Sequence, residues 1–179
     1  MTDYYDLLAP DQEFAEKLGF SKIDVSKINY IEPRSGNDIK PQKNKINIIR
    51  GGDEKINQEA VRTRNVHVLL DPVNWEFGKF DTATANMAKK NNVAIGISHA
   101  TFIEAKESQR VKLMLNLQRM VKVTNKIKNS IVIVSNSKGK YGMRAPLDLV
   151  GIGAFIGLTE NQAKWAISEV PKSIFEVKT

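Results

Sequence analysis

Cysteine is absent from the 179 residues. That excludes a disulfide scaffold, thiolate metal sites, thiol nucleophiles and iron–sulfur chemistry, and it suits a reducing compartment. Histidine is scarce, with His67 and His99 the only two. A multinuclear hydrolytic centre gathers several histidines and carboxylates, so metal-assisted hydrolysis starts from a thin inventory. No apolar run approaches the roughly 18 residues that span a bilayer. The opening Met1-Thr-Asp-Tyr-Tyr-Asp6 is acidic where a secretion signal is basic and apolar. The expected location is therefore the cytoplasm, with no membrane partner. The glycines of Gly51-Gly52 and Lys138-Gly-Lys-Tyr-Gly142 match neither the dinucleotide fingerprint nor the phosphate-binding loop. No internal repeat is visible.

What is present is an ordinary globular mixture, 41% apolar and 26% charged. At this length one core can form without staples, so residues 1–179 are read as one domain. Lysine and arginine number 27 against 20 acidic residues, a net charge of +7 and an isoelectric point near 9.5. Such a surplus attracts polyanions, because each neutralised phosphate releases a condensed counterion. Simple solubility is the bland reading of the same number.

Short runs rich in β-branched residues alternate with longer stretches of helical period, the pattern of parallel strands joined by crossover helices. Strands are expected at 4–8, 22–25, 46–50, 66–70, 93–98 and 131–135, several apolar at nearly every position, as strands covered on both faces are. Helices are expected at 11–18, 53–63, 81–90, 107–126, 146–156 and 160–169. Gly19 closes the first, Asp53 and Asp81 cap the second and third, and Thr159-x-x-Gln162 forms a capping box. Residues 31–45, with two prolines and a glycine, read as a polar surface loop.

Chemistry in such folds sits at strand C-terminal ends. Asp71, His99 and Asn136 follow expected strands, Ser135 ends one, and the four form the candidate strand-end surface. Asp71 precedes Pro72, so capping a turn competes with binding a cation. His99 has no HxH or HxxxH partner, and no histidine–carboxylate relay activates Ser135 or Ser137. His67, inside an apolar run, reads as a packed, hydrogen-bonded side chain.

Basic residues are better organised. At about 100° per residue along 107–128, Leu113, Met114, Leu117, Met120, Val121 and Ile127 share one face. Lys112, Arg119, Lys122 and Lys126 gather on the opposite face within about 80° of arc, with no interleaved acid. Arg110 points toward the core side at the helix start, where a strand end or ligand would receive it. A second group, Lys138, Lys140 and Arg144, lies on a glycine-containing loop with Tyr141 available to stack on an unpaired base. A solvated face and a surface turn are the plain alternatives.

Ordered motifs then resemble one family. Tyr5-Asp-Leu, Leu18-Gly-Phe20, Leu69-Leu-Asp-Pro72, Asn92-Val-Ala-Ile95, Gln109-Arg-Val-Lys-Leu-Met-Leu-Asn116, Ile133-Val-Ser-Asn-Ser137 and Met143-Arg-Ala-Pro146 with Leu158 look like the archaeal ribonuclease P protein component 3 family along nearly the whole chain. The sequence departs from that pattern at Gly96, where the family commonly carries glutamate, at Asp71-Pro72, where it has a histidine–proline pair, and in 97–102, which lacks an arginine often found there. The resemblance implies an α/β fold, a TIM-barrel-like parallel barrel with surrounding helices related to the polymerase-and-histidinol-phosphatase superfamily, without that superfamily's metal cluster.

The same resemblance implies a non-catalytic, RNA-binding subunit of the ribonuclease P holoenzyme, in which an RNA removes the 5′ leader of precursor tRNA using magnesium. Its partners would be ribonuclease P RNA, precursor tRNA, protein component 2 in a heterotetramer, and other ribonuclease P proteins. No cofactor is expected in the protein itself. The expected RNA-binding residues are Arg110, Lys112, Arg119, Lys122, Lys126, Lys138, Lys140 and Arg144. Two rivals stand beside this reading: a metal-dependent phosphoesterase of the polymerase-and-histidinol-phosphatase type using His99 and Asp71, and a scaffold that reaches RNA only through other proteins.

Overall fold

A computed structural model describes residues 2–176. Five strands, β1 (Ile28–Ile31), β2 (Ile46–Arg50), β3 (Val66–Leu70), β4 (Ala94–Ser98) and β5 (Ile131–Val134), form one sheet in chain order with every neighbour parallel. Helix α1 (Gln12–Leu18) precedes them, α2 (Glu54–Arg62), α3 (Thr82–Lys90), α4 (His99–Glu104) and α5 (Glu107–Ile127) come between them, and α6 (Pro146–Phe155), α7 (Glu160–Trp165) and α8 (Glu169–Glu176) close the order. Right-handed crossovers between strands in sequential order carry their helices to one side, the winding of a barrel wall.

Side-chain alternation divides two cores. Ile49, Leu69, Ile95 and Ile133 face the helices, packing with Ala60, Ala88, Leu113 and Leu117. Ile46, Ile48, Val68, Leu70, Val132 and Val134 face the other way. That inner face is covered by Leu7 and Ile23 and, from α8, by Val170, Ile174 and Phe175. Gly96 belongs to the same face: a Cβ there would lie 2.7 Å from Val68 Cγ1 and 3.1 Å from the Leu70 Cα. The space where a larger residue would stand is already filled.

Four expectations change. Residues 4–8 are not a strand. The Asp6 side chain takes the Leu8 N–H at 3.1 Å, bending the segment, while Tyr5 N–H still reaches the Ile167 carbonyl at 2.7 Å. Residues 22–25 likewise fail to pair, because Asp24 captures the Ser26 N–H at 3.0 Å and starts a 3-10 turn; the strand follows at Ile28–Ile31 and takes the first residue of the expected 31–45 loop. Helix α4 follows β4 without a side-chain cap. The expected helix 160–169 is two helices, since Pro171 has no N–H for Ile167 and the chain restarts at Glu169. The carbonyl thus released is the one Tyr5 uses.

Candidate nucleic-acid interface

The strand C-terminal ends are occupied by the protein's own side chains. After β3 the backbone turns left-handed at Asp71 (φ 47), which aims its carboxylate back at β4. Its oxygens accept from Ser98 N at 2.8 Å, Ser98 Oγ at 2.5 Å and Thr101 Oγ1 at 2.8 Å. Burial pushes the Asp71 carboxyl up, and the Ser98 bonds and the Arg50 charge pull it back. Asp71 clamps β3 to the β4–α4 junction, and its carboxylate does not cap the turn that follows it at Pro72.

Three residues of this end carried no functional assignment in the sequence. Asp6, buried, accepts from Ser135 N at 3.1 Å, and burial pushes its carboxyl up against the opposing bonds from Ser135. Tyr30 donates to Glu32 at 2.6 Å, and burial together with that carboxylate pushes its hydroxyl up to about 12. Arg50 approaches Glu32 at 3.4 Å; burial opposes its charge, but Tyr30 and Asp71 outweigh it and hold the guanidinium above its ordinary value. Asn136, left-handed at φ 46, donates its amide to Tyr30 at 3.4 Å and its backbone N–H to Leu8 at 3.2 Å. Ser135 is buried under Asp6. An acid inside an apolar run at Asp6, and a cation at the end of 46–50, were the only available signals.

His99 has different neighbours. It begins α4, is buried with Nδ1 unpaired, and lines an open groove of about 680 Å³ with Phe102, Arg144, Leu147, Asp148 and Phe155. Burial and then the Arg144 cation hold the imidazole below its ordinary value, with the Gly142 backbone and Asp148 opposing. Asp71 and His99 are therefore bonded into separate surroundings. Among the described residues no group of three or more histidines and carboxylates could hold a metal ion. His67, half-buried, accepts the Asn47 N–H on Nδ1 at 2.9 Å.

Helix α5 separates its faces as its phase requires. Leu113, Leu117, Met120 and Val121 are buried, and Lys112, Arg119, Lys122 and Lys126 are exposed. Among the described residues none of these four cations makes an ion pair or side-chain hydrogen bond. They cover about 21 Å of helix, at about 1.5 Å per residue. Arg110 departs from expectation: it is exposed, and its Nε turns back to the Ala105 carbonyl at 2.8 Å, tying the α4–α5 link. Its side chain is taken by that carbonyl, not by a strand end.

The loop after β5 is held by backbone bonds from Gly142 to Gly139 and from Met143 to Lys140, both 3.0 Å, and from Ala100 to Ser135 at 3.1 Å. Lys138 pairs with Glu104 at 2.9 Å, and Lys140 stands 5.3 Å over the Tyr141 ring. Tyr141 is 83% exposed, edge-on to Phe14 at 6.3 Å. Arg144 is half-buried and donates to Met143 O at 2.8 Å. This end thus offers an exposed aromatic flanked by cations, and α5 offers an unpaired basic track. Both suit a phosphate backbone with unstacked bases.

Comparisons with known proteins converge on one family. The family described as RNase P subunit p30 matches residues 21–179. The chain is 29% identical over 138 residues to the ribonuclease P protein component 3 of Methanococcoides burtonii, covering 76% of this chain and 57% of that protein. It is 31% identical over 145 residues to the component 3 of Methanococcus maripaludis strain C6, covering 78% and 62%. A solved chain from a cryo-EM structure of archaeal ribonuclease P with mature tRNA is similar with a TM-score of 0.67 and 25% identity, over 74% of this chain and 57% of that one. The chain spans a little over half the length of several of the curated relatives it matches. Among the described residues no helix is long and apolar enough to cross a membrane.

Proposed function

The chain belongs to the RNase P subunit p30 family, and from that premise we propose that it is an RNA-binding protein subunit of ribonuclease P. In this role it supports a catalytic RNA in removing the 5′ leader of precursor tRNA, beside protein component 2 and other ribonuclease P proteins in the cytoplasm. Bond breaking and its magnesium belong to the RNA; the protein supplies cations and shape. The observation that carries this reading is the α5 face, where Lys112, Arg119, Lys122 and Lys126 are exposed and unpaired among the described residues. Cations without internal partners lose little when they meet phosphate, and they screen the repulsion that opposes compact RNA folding.

The loop cations act differently. Lys138 must exchange Glu104 for a phosphate, so its contribution is smaller than an unpaired lysine's. Tyr141 supplies a stacking surface instead. Changing Lys112, Arg119, Lys122 and Lys126 together to glutamine tests the reading. The salt dependence of RNA affinity is expected to flatten by about 0.7 to 0.9 per lost contact, close to three in total. An unchanged slope would remove α5 from the interface.

A further inference from the structure

At the opposite end of the sheet, where the strands begin, lies a cavity of about 560 Å³. That volume falls within the roughly 300–1,000 Å³ typical of small-ligand sites. Its walls come from the starts of β3 and β4, the turn after α5, and α8. Ala94 and Ile174 supply apolar surface; Lys89 and Lys128 supply charge; Asn65 and Asn92 supply amides. Among the described residues no carboxylate lines it. Asn65, Asn92 and Lys128 all sit at left-handed turns, with φ of 63, 54 and 57. Asparagine suits such a turn on conformational grounds, while Lys128 caps the C-terminus of α5 and Lys89 lies in the last turn of α3, where the helix dipole favours cations; both ammonium groups thereby converge on the cavity. Among the described residues the Lys128 ammonium and the amides of Asn65 and Asn92 have no side-chain hydrogen bond. Lys89 donates one of its three N–H groups to the Ile127 carbonyl at 2.8 Å and keeps two.

We propose that this cavity binds a ribonucleotide. Its phosphate is met by Lys128 and Lys89, its base lies against the Ala94 and Ile174 surface, and the free amides read the base edge with a donor and an acceptor each. Two sources share that chemistry, a free mononucleotide and an unstacked nucleotide of an RNA; the second rests on the RNA-subunit reading above. The unpaired basic face of α5 ends at Ile127, beside Lys128, so a backbone following that face arrives at the cavity rim.

The test is equilibrium binding of a labelled short oligoadenylate, and of adenosine 5′-monophosphate as competitor, to the full chain. One variant combines Lys89→Gln with Lys128→Asn, which removes two charges and keeps a side chain tolerant of the left-handed turn. A second, Ser173→Glu, leaves both lysines and places an acid on the α8 wall. Thermal melts of both variants establish that they fold. The expected result is a dissociation constant about tenfold higher for the oligonucleotide in each variant, with the mononucleotide competing only on the native protein. Mononucleotide binding that is lost in the variants while oligonucleotide affinity stays put also supports the site and assigns it to the free nucleotide. Native affinities retained for both ligands in both folded variants overturn it. If the oligonucleotide responds to the α5 substitutions and not to these, the cavity is overturned and the subunit reading stands; if the native chain binds neither ligand, both fall.

Discussion

His99 shows how one side chain senses its surroundings at the C-terminal end of the strands. Burial disfavours its charged form first, and the neighbouring Arg144 cation adds to that effect. The folded protein therefore releases the imidazole proton at a lower pH than the unfolded chain, whose ordinary value is 6.5. By linkage, the unfolded chain binds more protons as pH falls through that region, so His99 lowers stability on acidification. An NMR titration of the imidazole C2 proton is expected to give a midpoint below 6.5, and Arg144→Met is expected to raise it while leaving it depressed by burial. A native midpoint at or above 6.5 would contradict the groove's geometry. Asp6 and Asp71 have the opposite sign. Their raised carboxyls make ionisation costlier in the fold, so each withdraws stability as pH rises from 3.8 through its folded value.

At the scale of elements, the inner face of the sheet decides what β4 can carry. Gly96→Ala places a methyl against Val68 and the Leu70 backbone, and backbone cannot step aside as a side-chain tip does. Overpacking of this kind costs about 1–3 kcal/mol. Urea denaturation is expected to show a lower midpoint with an unchanged slope; a midpoint equal to the native one would mean that the inner core is looser than these distances allow. The long elements were legible because their period and caps agree. The side chains of Asp53 and Asp81 bond the first turns of α2 and α3 as their positions predict, and Thr159 and Gln162 form the capping box. Short ones were not. Residues 4–8 and 22–25 have strand composition, but Asp6 and Asp24 bond local N–H groups and end the pairing. On α5 the exposed basic face was legible from phase alone, whereas the turn of Arg110 toward Ala105 depends on where α4 ends. The Arg50–Glu32 contact and the Asp6–Ser135 bond join residues far apart in sequence, and no local pattern encodes them.

For the whole molecule, the two ends of the sheet divide the work. One end is closed by internal bonds from Ser98 and Thr101 to Asp71 and from Ser135 to Asp6, with cations and Tyr141 arranged outside it. The α5 track runs from that end toward the cavity at the other. In the proposed role, phosphate contacts spread over this surface would stabilise a folded RNA, and their effect would be largest where divalent ions are scarce. The most direct measurement is precursor tRNA cleavage at limiting magnesium, with the cognate RNA and its other protein subunits, comparing the native chain, the α5 quadruple glutamine variant, and no chain. The native chain is expected to restore 5′ leader removal, the variant to restore it weakly and regain ground as magnesium rises, and the chain without RNA to cleave nothing. Leader removal by the purified chain free of RNA, or full rescue by the variant at limiting magnesium, would contradict the account.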